Sequence, residues 1–142
     1  MRYSEQMKPT IVVCGYGSGI SNAVATKFGQ QGLAVALVAR TESRVAAAAT
    51  ALAEAGVSAK GFAADLGDPE AVRRVIGEVQ ASLGPIAVVH WNAYGGGAGD
   101  LTTASSAELR GNIDVSVTGM IAAVQASLAD LKAQKGSVLV TG

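Results

Sequence analysis

Val13-Cys14-Gly15-Tyr16-Gly17-Ser18-Gly19-Ile20-Ser21 follows directly on Ile11-Val12, and its reading decides the fold. Three glycines fall within five positions. Glycine inside a helix or strand costs roughly 0.5–1 kcal/mol relative to alanine. A cluster of them therefore marks a sharp turn, or a place where something must approach the backbone closely. The apolar run before the cluster reads as a buried strand. Ser18–Gln31 reads as an amphipathic helix, with Ile20, Val24 and Phe28 on one face and Gly32 as its stop. A strand that turns through glycines into a helix presents free N–H groups and partial positive charge at the turn, which suits a phosphate. A plain glycine-rich turn is the alternative.

The alternation continues along the chain. Apolar runs at Ile11–Cys14, Ala34–Ala39, Ser58–Ala64, Ile86–Trp91 and Ser137–Thr141 are mostly β-branched and lack polar alternation. Parallel strands covered on both faces read this way. Ser58–Ala64 is the least typical, being mostly small residues. Between the runs lie helices. Glu42–Ala55 ends at Gly56. Asp68-Pro69-Glu70 starts another, with Asp68 as N-cap and Pro69 at the first helical position. Ser105–Gln134 opens on Ser105-Ser106-Ala107-Glu108, which has the form of a capping box. The order βαβαβαβαβ, with right-handed crossovers, gives an open parallel sheet with helices on both faces. Residues 10–142 are expected to form one domain, a candidate dinucleotide-binding domain, behind a polar tail, 1–9. A glycine-rich linker, Tyr94–Ala104, follows the fourth strand.

Bulk properties narrow the function classes. Eleven basic residues balance eleven acidic ones over 142 residues, which argues against a nucleic-acid partner. No apolar run approaches the ~18 residues of a membrane span, and Met1–Lys8 has no signal-peptide core. The single cysteine, Cys14, suits a reducing cytoplasm. Spacings typical of a zinc site are missing from the sequence, which has one histidine, His90.

The glycine spacing departs from Gly-x-Gly-x-x-Gly, because Ile20 takes the place of the third glycine. Gly15-x-x-x-Gly19-x-Ser21 instead resembles the Gly-x-x-x-Gly-x-Gly loop of the short-chain dehydrogenase/reductase family. Ala64-Asp65-Leu66 resembles the family's adenine-contacting Asp segment. Asn92-Ala93 resembles part of its Asn-Asn-Ala-Gly motif, and Val115-Ser116-Val117-Thr118-Gly119 its Val-Asn-Leu-Thr-Gly. Gly136–Val140 resembles the strand that leads to the catalytic serine. The resemblance spans Thr10 to Gly142. It implies a Rossmann-like doubly wound sheet in strand order 3-2-1-4-5, ending after the fifth strand. It also implies a cofactor site at Gly15, Tyr16, Gly17, Ser18, Gly19, Ile20, Arg40, Asp65, Leu66, Asn92 and Ala93. The departures are Cys14 for threonine, Ser21 for glycine, Trp91 and Tyr94 within the Asn-Asn-Ala-Gly motif, and Ser116 for the family's catalytic Asn. Asn112, one turn earlier on the same helix face, is the alternative candidate for that role.

The cofactor is read at the end of the second strand. An acid there binds the ribose 2′-hydroxyl of NAD, and an arginine accommodates the 2′-phosphate of NADP. Ala39 stands where NAD-preferring members carry Asp, and Arg40 follows it. NADP is thus expected rather than NAD, unless Arg40 is an ordinary solvated charge. Arg44, one turn further, is expected to be a bystander. Cys14 is expected to be a small hydrophobe and His90 a core histidine. Trp91 and Tyr94 belong either to the wall of the adenosine pocket or to the core.

The resemblance implies hydride transfer between nicotinamide and a small carbonyl or alcohol substrate, in a homodimer or homotetramer. In the family the proton comes from a Tyr with a Lys four positions on. Tyr3, Tyr16 and Tyr94 have none. The Tyr/Lys half is expected beyond Gly142, leaving the chain as given inactive. The alternatives are a stand-alone nucleotide-binding module and a non-binding interaction remnant of the fold.

Overall fold

The computed structural model describes residues 7–96 and 100–142; the outer part of the polar tail and the centre of the glycine-rich linker lie outside them. Five strands are present: β1 (Thr10–Cys14), β2 (Ala34–Ala39), β3 (Ala59–Ala63), β4 (Ile86–Trp91) and β5 (Ser137–Val140). All pair in parallel, in the expected order β3-β2-β1-β4-β5. Every side chain of β1 is buried. Alternate residues enter opposite layers, as the strand pleat requires. Ile11 and Val13 join Val35, Leu37, Val45 and Leu52 on one face, beside helices α1 (Ile20–Gln30) and α2 (Glu42–Glu54). Val12 and Cys14 join Val38, Val72, Ile76, Trp91 and Ala123 on the other, with α3 (Pro69–Ser82) and α5 (Gly119–Ala133).

Local chemistry sets the helix boundaries. Asp68 caps α3 by accepting from the Glu70 N–H at 3.1 Å, with Pro69 behind it. Ser105 and Glu108 form a reciprocal capping box on α4 (Ser106–Ile113), at 3.2 and 2.7 Å. Asp130 fastens α5 to its neighbours, its Oδ2 accepting from Gln80 Nε2 at 2.8 Å and from the Ile86 N–H at 3.0 Å.

Two expectations are corrected. In α1 the buried residues are Ser21 and Ala25, whereas Ile20 is 59% exposed. Small residues face the sheet because the helix lies close to it, and Val24 and Phe28 are only partly covered. The long helix expected over Ser105–Gln134 is also not α-helical throughout. A π-helical turn, Asp114–Thr118, separates α4 from α5.

Gly119, at the start of α5, packs so tightly that a Cβ there would overlap the Leu66 carbonyl oxygen and press on the Trp91 ring. Gly119→Ala is expected to destabilise the fold by about 1–3 kcal/mol through overpacking. Gly77 on α3 is exposed and has open space where a Cβ would go, so Gly77→Ala should stabilise by up to about 1 kcal/mol. Urea unfolding of both variants checks this; equal effects would show that the Gly119 contact carries no weight.

Candidate cofactor-binding site

The glycine turn is built by three strand ends. Gly15 adopts φ +88°, a left-handed conformation that side chains resist, and a Cβ on it would lie 2.5 Å from the Ala93 nitrogen. The backbone N–H groups of Gly15 and Tyr16 both donate to the Val38 carbonyl, at 2.9 and 3.0 Å. On the other side the Asn92 N–H donates to the Cys14 carbonyl at 2.8 Å, and Asn92 Nδ2 to the Gly15 carbonyl at 3.3 Å. Ser21 secures the loop from within: its Oγ accepts from the Gly17 N–H at 2.7 Å and donates to the Gly17 carbonyl at 3.1 Å. The serine thus supplies hydrogen bonds that a glycine would lack.

A cavity of about 470 Å³ opens at these carboxyl ends of the strands. Gly15, Tyr16, Gly17, Arg40, Leu66, Asn92 and Ala93 line it, all anticipated from the sequence. Ala39, Thr41, Arg44, Tyr94 and Val115 line it as well. Ser18 lines an adjoining cavity of about 460 Å³ with Tyr16, Arg44 and Ala48. Gly19 is the N-cap of α1, with no side-chain cap and open space where a Cβ would go. Gly19, Ile20 and Asp65 are not among the residues lining either cavity. The Asp65 carboxylate instead accepts from the Gly67 N–H at 2.9 Å. Ser116 and Asn112 sit behind the loop that leaves β4 rather than on the cavity lining.

Arg44 was expected to stand aside, yet it lines both cavities. Among the described residues neither Arg40 nor Arg44 makes an ion pair; the two pairs present, Arg73–Glu70 and Arg74–Glu78, lie on α3. Both arginines flank the N-terminus of α2, itself a partial positive charge. An anion suits this corner. The open backbone at Gly17 and Gly19 suits a second phosphate at the N-terminus of α1. The residues present therefore fit a phosphorylated dinucleotide. Among the described residues no group of three His, Cys, Asp or Glu could hold a metal, and no helix is long and apolar enough to cross a membrane.

The short chain dehydrogenase family matches residues 9–142. The chain belongs to that family. A 2-(S)-hydroxypropyl-CoM dehydrogenase of Xanthobacter autotrophicus is 30% identical to this chain over 133 residues, 93% of this chain and 52% of the relative. The L-sorbose reductase of Gluconobacter frateurii, solved with NADPH and L-sorbose, superposes with a TM-score of 0.86 at 27% identity, over 94% of this chain and 51% of that one. An alcohol dehydrogenase from Thermococcus sibiricus, complexed with 5-hydroxy-NADP, gives 0.85 at 31% identity, over 93% and 57%. The chain spans 29% to 52% of the length of such curated relatives.

Cys14 and His90 are buried in the core. Burial pushes the Cys14 thiol up to about 12, so it stays protonated and unreactive. Trp91 is buried, and Tyr94 lies exposed at the cavity. His90 is 2% exposed, with Nε2 2.9 Å from Thr141 Oγ1 and no partner for Nδ1 among the described residues. Burial holds its pKa below the ordinary value. The unfolded chain therefore binds a proton near pH 6.5 while the folded chain does not. The stability this contributes is full above about pH 6.5 and is lost as pH falls through the lower folded-state value. Thermal unfolding between pH 7.5 and 5 should show stability falling in the wild type and a flatter profile in His90→Gln. Parallel profiles would remove His90 as the cause.

Proposed function

We propose that this chain forms the cofactor-binding part of an NADP(H)-dependent oxidoreductase that moves a hydride between nicotinamide and a small carbonyl or alcohol substrate. The observation that carries this reading is Arg40, placed at the exit of β2 and lining the same cavity as the glycine turn. NADP, when bound, supplies the hydride or accepts it. Gly15–Gly19 would seat the pyrophosphate at the N-terminus of α1, through the backbone N–H groups that the turn's own hydrogen bonds leave over, those of Ser18 and Gly19. Arg40 would pair with the 2′-phosphate by a two-pronged, charge-assisted contact. Asn92 would fix the β4 wall. Two similar structures contain NADP-type cofactors, which supports the same choice. The named substrates of the relatives differ among themselves, so none is carried over. Proton transfer needs an acid at the developing alkoxide. None of the three tyrosines has a lysine four positions on, so we assign the activity to a longer protein that carries such a pair and expect none from the 142-residue chain.

Titration with NADPH and NADH, followed by nucleotide fluorescence, checks the cofactor. NADPH should bind more tightly. Arg40→Ala should weaken NADPH by about 1–3 kcal/mol while sparing NADH. In the same assay Gly19→Val should fold, since the space is open, and should lose both cofactors because its side chain would stand where phosphate sits. Equal wild-type affinity for the two cofactors would overturn the NADP assignment.

The assembly proposed is a homodimer or homotetramer in the cytoplasm. Leu109, Ile113, Val117, Ile121 and Leu128 are exposed at helical spacing along α4, the π turn and α5, an apolar stripe suited to a copy of itself. Ile121→Asp should lower the mass measured by sedimentation; a wild type that sediments as a monomer would rule the assembly out.

A further inference from the structure

Tyr94 is out of keeping with the cavity it lines. Among the larger apolar and aromatic side chains of that lining, Leu66 is 5% exposed and Tyr16 and Val115 are half-buried, whereas Tyr94 is 77% exposed. Gly96 lies beside the ring. A Cβ there would stand 3.2 Å from Tyr94 Cε2, so the glycine leaves that edge bare. The backbone that carries the ring is nonetheless anchored. Asn92 is bonded to Cys14 and Gly15 at the exit of β1. Gly95 lies so close to α4 that a Cβ on it would stand 2.4 Å from the Asn112 Cα. An exposed aromatic ring on an anchored backbone leaves apolar surface in water with no gain to the fold. It gains when a flat apolar partner covers it.

The cavity lining indicates the chemistry of that partner. Arg40, Thr41 and Arg44 give it a cationic, hydrogen-bonding corner, and Leu66, Ala93 and Val115 give it an apolar wall that Tyr94 continues. A nucleoside that carries a phosphate on its ribose is divided in the same way, with an anion on the sugar and a flat π face on the base. Every base presents such a face, and bases stack on aromatic side chains through it. We propose that Tyr94 is a binding residue that stacks on the purine ring of a phosphorylated adenosine held in this cavity. This rests on the dinucleotide reading above and assigns Tyr94 to the adenosine half. Glycine occupies this position in the Asn-Asn-Ala-Gly segment that residues 91–94 resemble, so the ring is an addition of this chain.

The test compares wild type with Tyr94→Ala, Tyr94→Leu and Tyr94→Phe. The probes are NADPH, adenosine 2′,5′-bisphosphate as the adenosine half alone, and the fluorescent etheno derivative of that bisphosphate, whose emission a stacked ring quenches. Tyr94→Ala should raise the Kd for NADPH and for the bisphosphate by the same factor, about five- to hundredfold, the effect of losing one stacked base. Tyr94→Phe keeps the ring and should match wild type in affinity and quenching. Tyr94→Leu keeps apolar bulk without the ring, and should lose the quenching and most of the affinity. Urea midpoints should agree across the set, because the ring is exposed. Wild-type affinity in Tyr94→Ala would overturn the proposal, as would a Tyr94→Phe variant as weak as Tyr94→Ala. Tyr94→Leu matching wild type would overturn it by showing apolar cover in place of stacking. NADPH weakened with the bisphosphate unchanged would overturn it by moving the ring to the other half of the dinucleotide. Lost binding with a lowered urea midpoint would overturn it by showing general loosening. A wild type that binds neither NADPH nor the bisphosphate would instead remove the dinucleotide reading, and the stack with it.

Discussion

The backbone of Gly15 lies against the backbone of Ala93 with no room for a side chain between them, and the cavity depends on that approach. Once β1 and β4 exit this close, Asn92 can bond to both Cys14 and Gly15. Val38 meets the N–H groups of Gly15 and Tyr16 from the other flank. Three strand ends are thereby fastened into one rim. The rim aims the start of α1 at the space above it, where Gly17 and Gly19 leave the backbone bare. Any Cβ at position 15 would act twice, through its own strain at φ +88° and through the forced separation of β1 from β4.

The strands buried on both faces were legible in the sequence because nothing competes with burial there. Ala34–Ala39 and Ile86–Trp91 have the expected bounds, and β1 gains only Thr10. Ala59–Ala63 was harder to read, and Gly61 shows the reason: a Cβ on it would lie 2.6 Å from the Val45 carbonyl carbon, so α2 dictates a small residue in the strand. The same physics misleads at α1. Hydrophobic periodicity selects Ile20, but a helix seated close to the sheet buries Ser21 and Ala25 instead. The π turn leaves no mark in composition. Its neighbours, the indole of Trp91 and the packed Gly119, are far from it or ambiguous in the sequence.

At the site, the glycine turn, Arg40, Leu66, Asn92 and Ala93 were legible because each sits at a strand exit, where side-chain direction follows from the sheet. Arg44 was missed because it sits on a helix. Helical side chains slant towards the N-terminus, so a residue in the first turn reaches past the helix end to the exit of β2. A signal for it exists. A cation in a first turn opposes the helix dipole, and Arg44 has no carboxylate partner among the described residues to offset that. Glu42, in the same first turn, offsets part of the helix-end charge. A phosphate would add an acceptor for two guanidinium groups where a ribose hydroxyl would not, and Arg44 thus adds to what Arg40 alone supports for the proposed NADP preference.

The departures from the family pattern at Trp91 and Ser116 become intelligible together. Trp91 faces the π turn and Ser116 lies within it, and each takes part in a hydrogen bond across the gap between β4 and the long helix: the Trp91 indole donates to the Val115 carbonyl, and Ser116 Oγ accepts from the Gly95 N–H. A tryptophan at the end of β4 needs volume. Gly119 provides it, one residue past the π turn, where the ring edge rests against its backbone. An indole in that space also brings an N–H that must find an acceptor once buried. A regular α-helix commits its carbonyls to its own N–H groups four residues on; the π turn disturbs that ladder where Val115 meets the indole. Ser116 is thereby carried to the Gly95 N–H. The large residue in the strand, the glycine in the helix and the distorted turn are thus one packing solution, and the serine hydroxyl is the part of it that reaches the loop at the cavity.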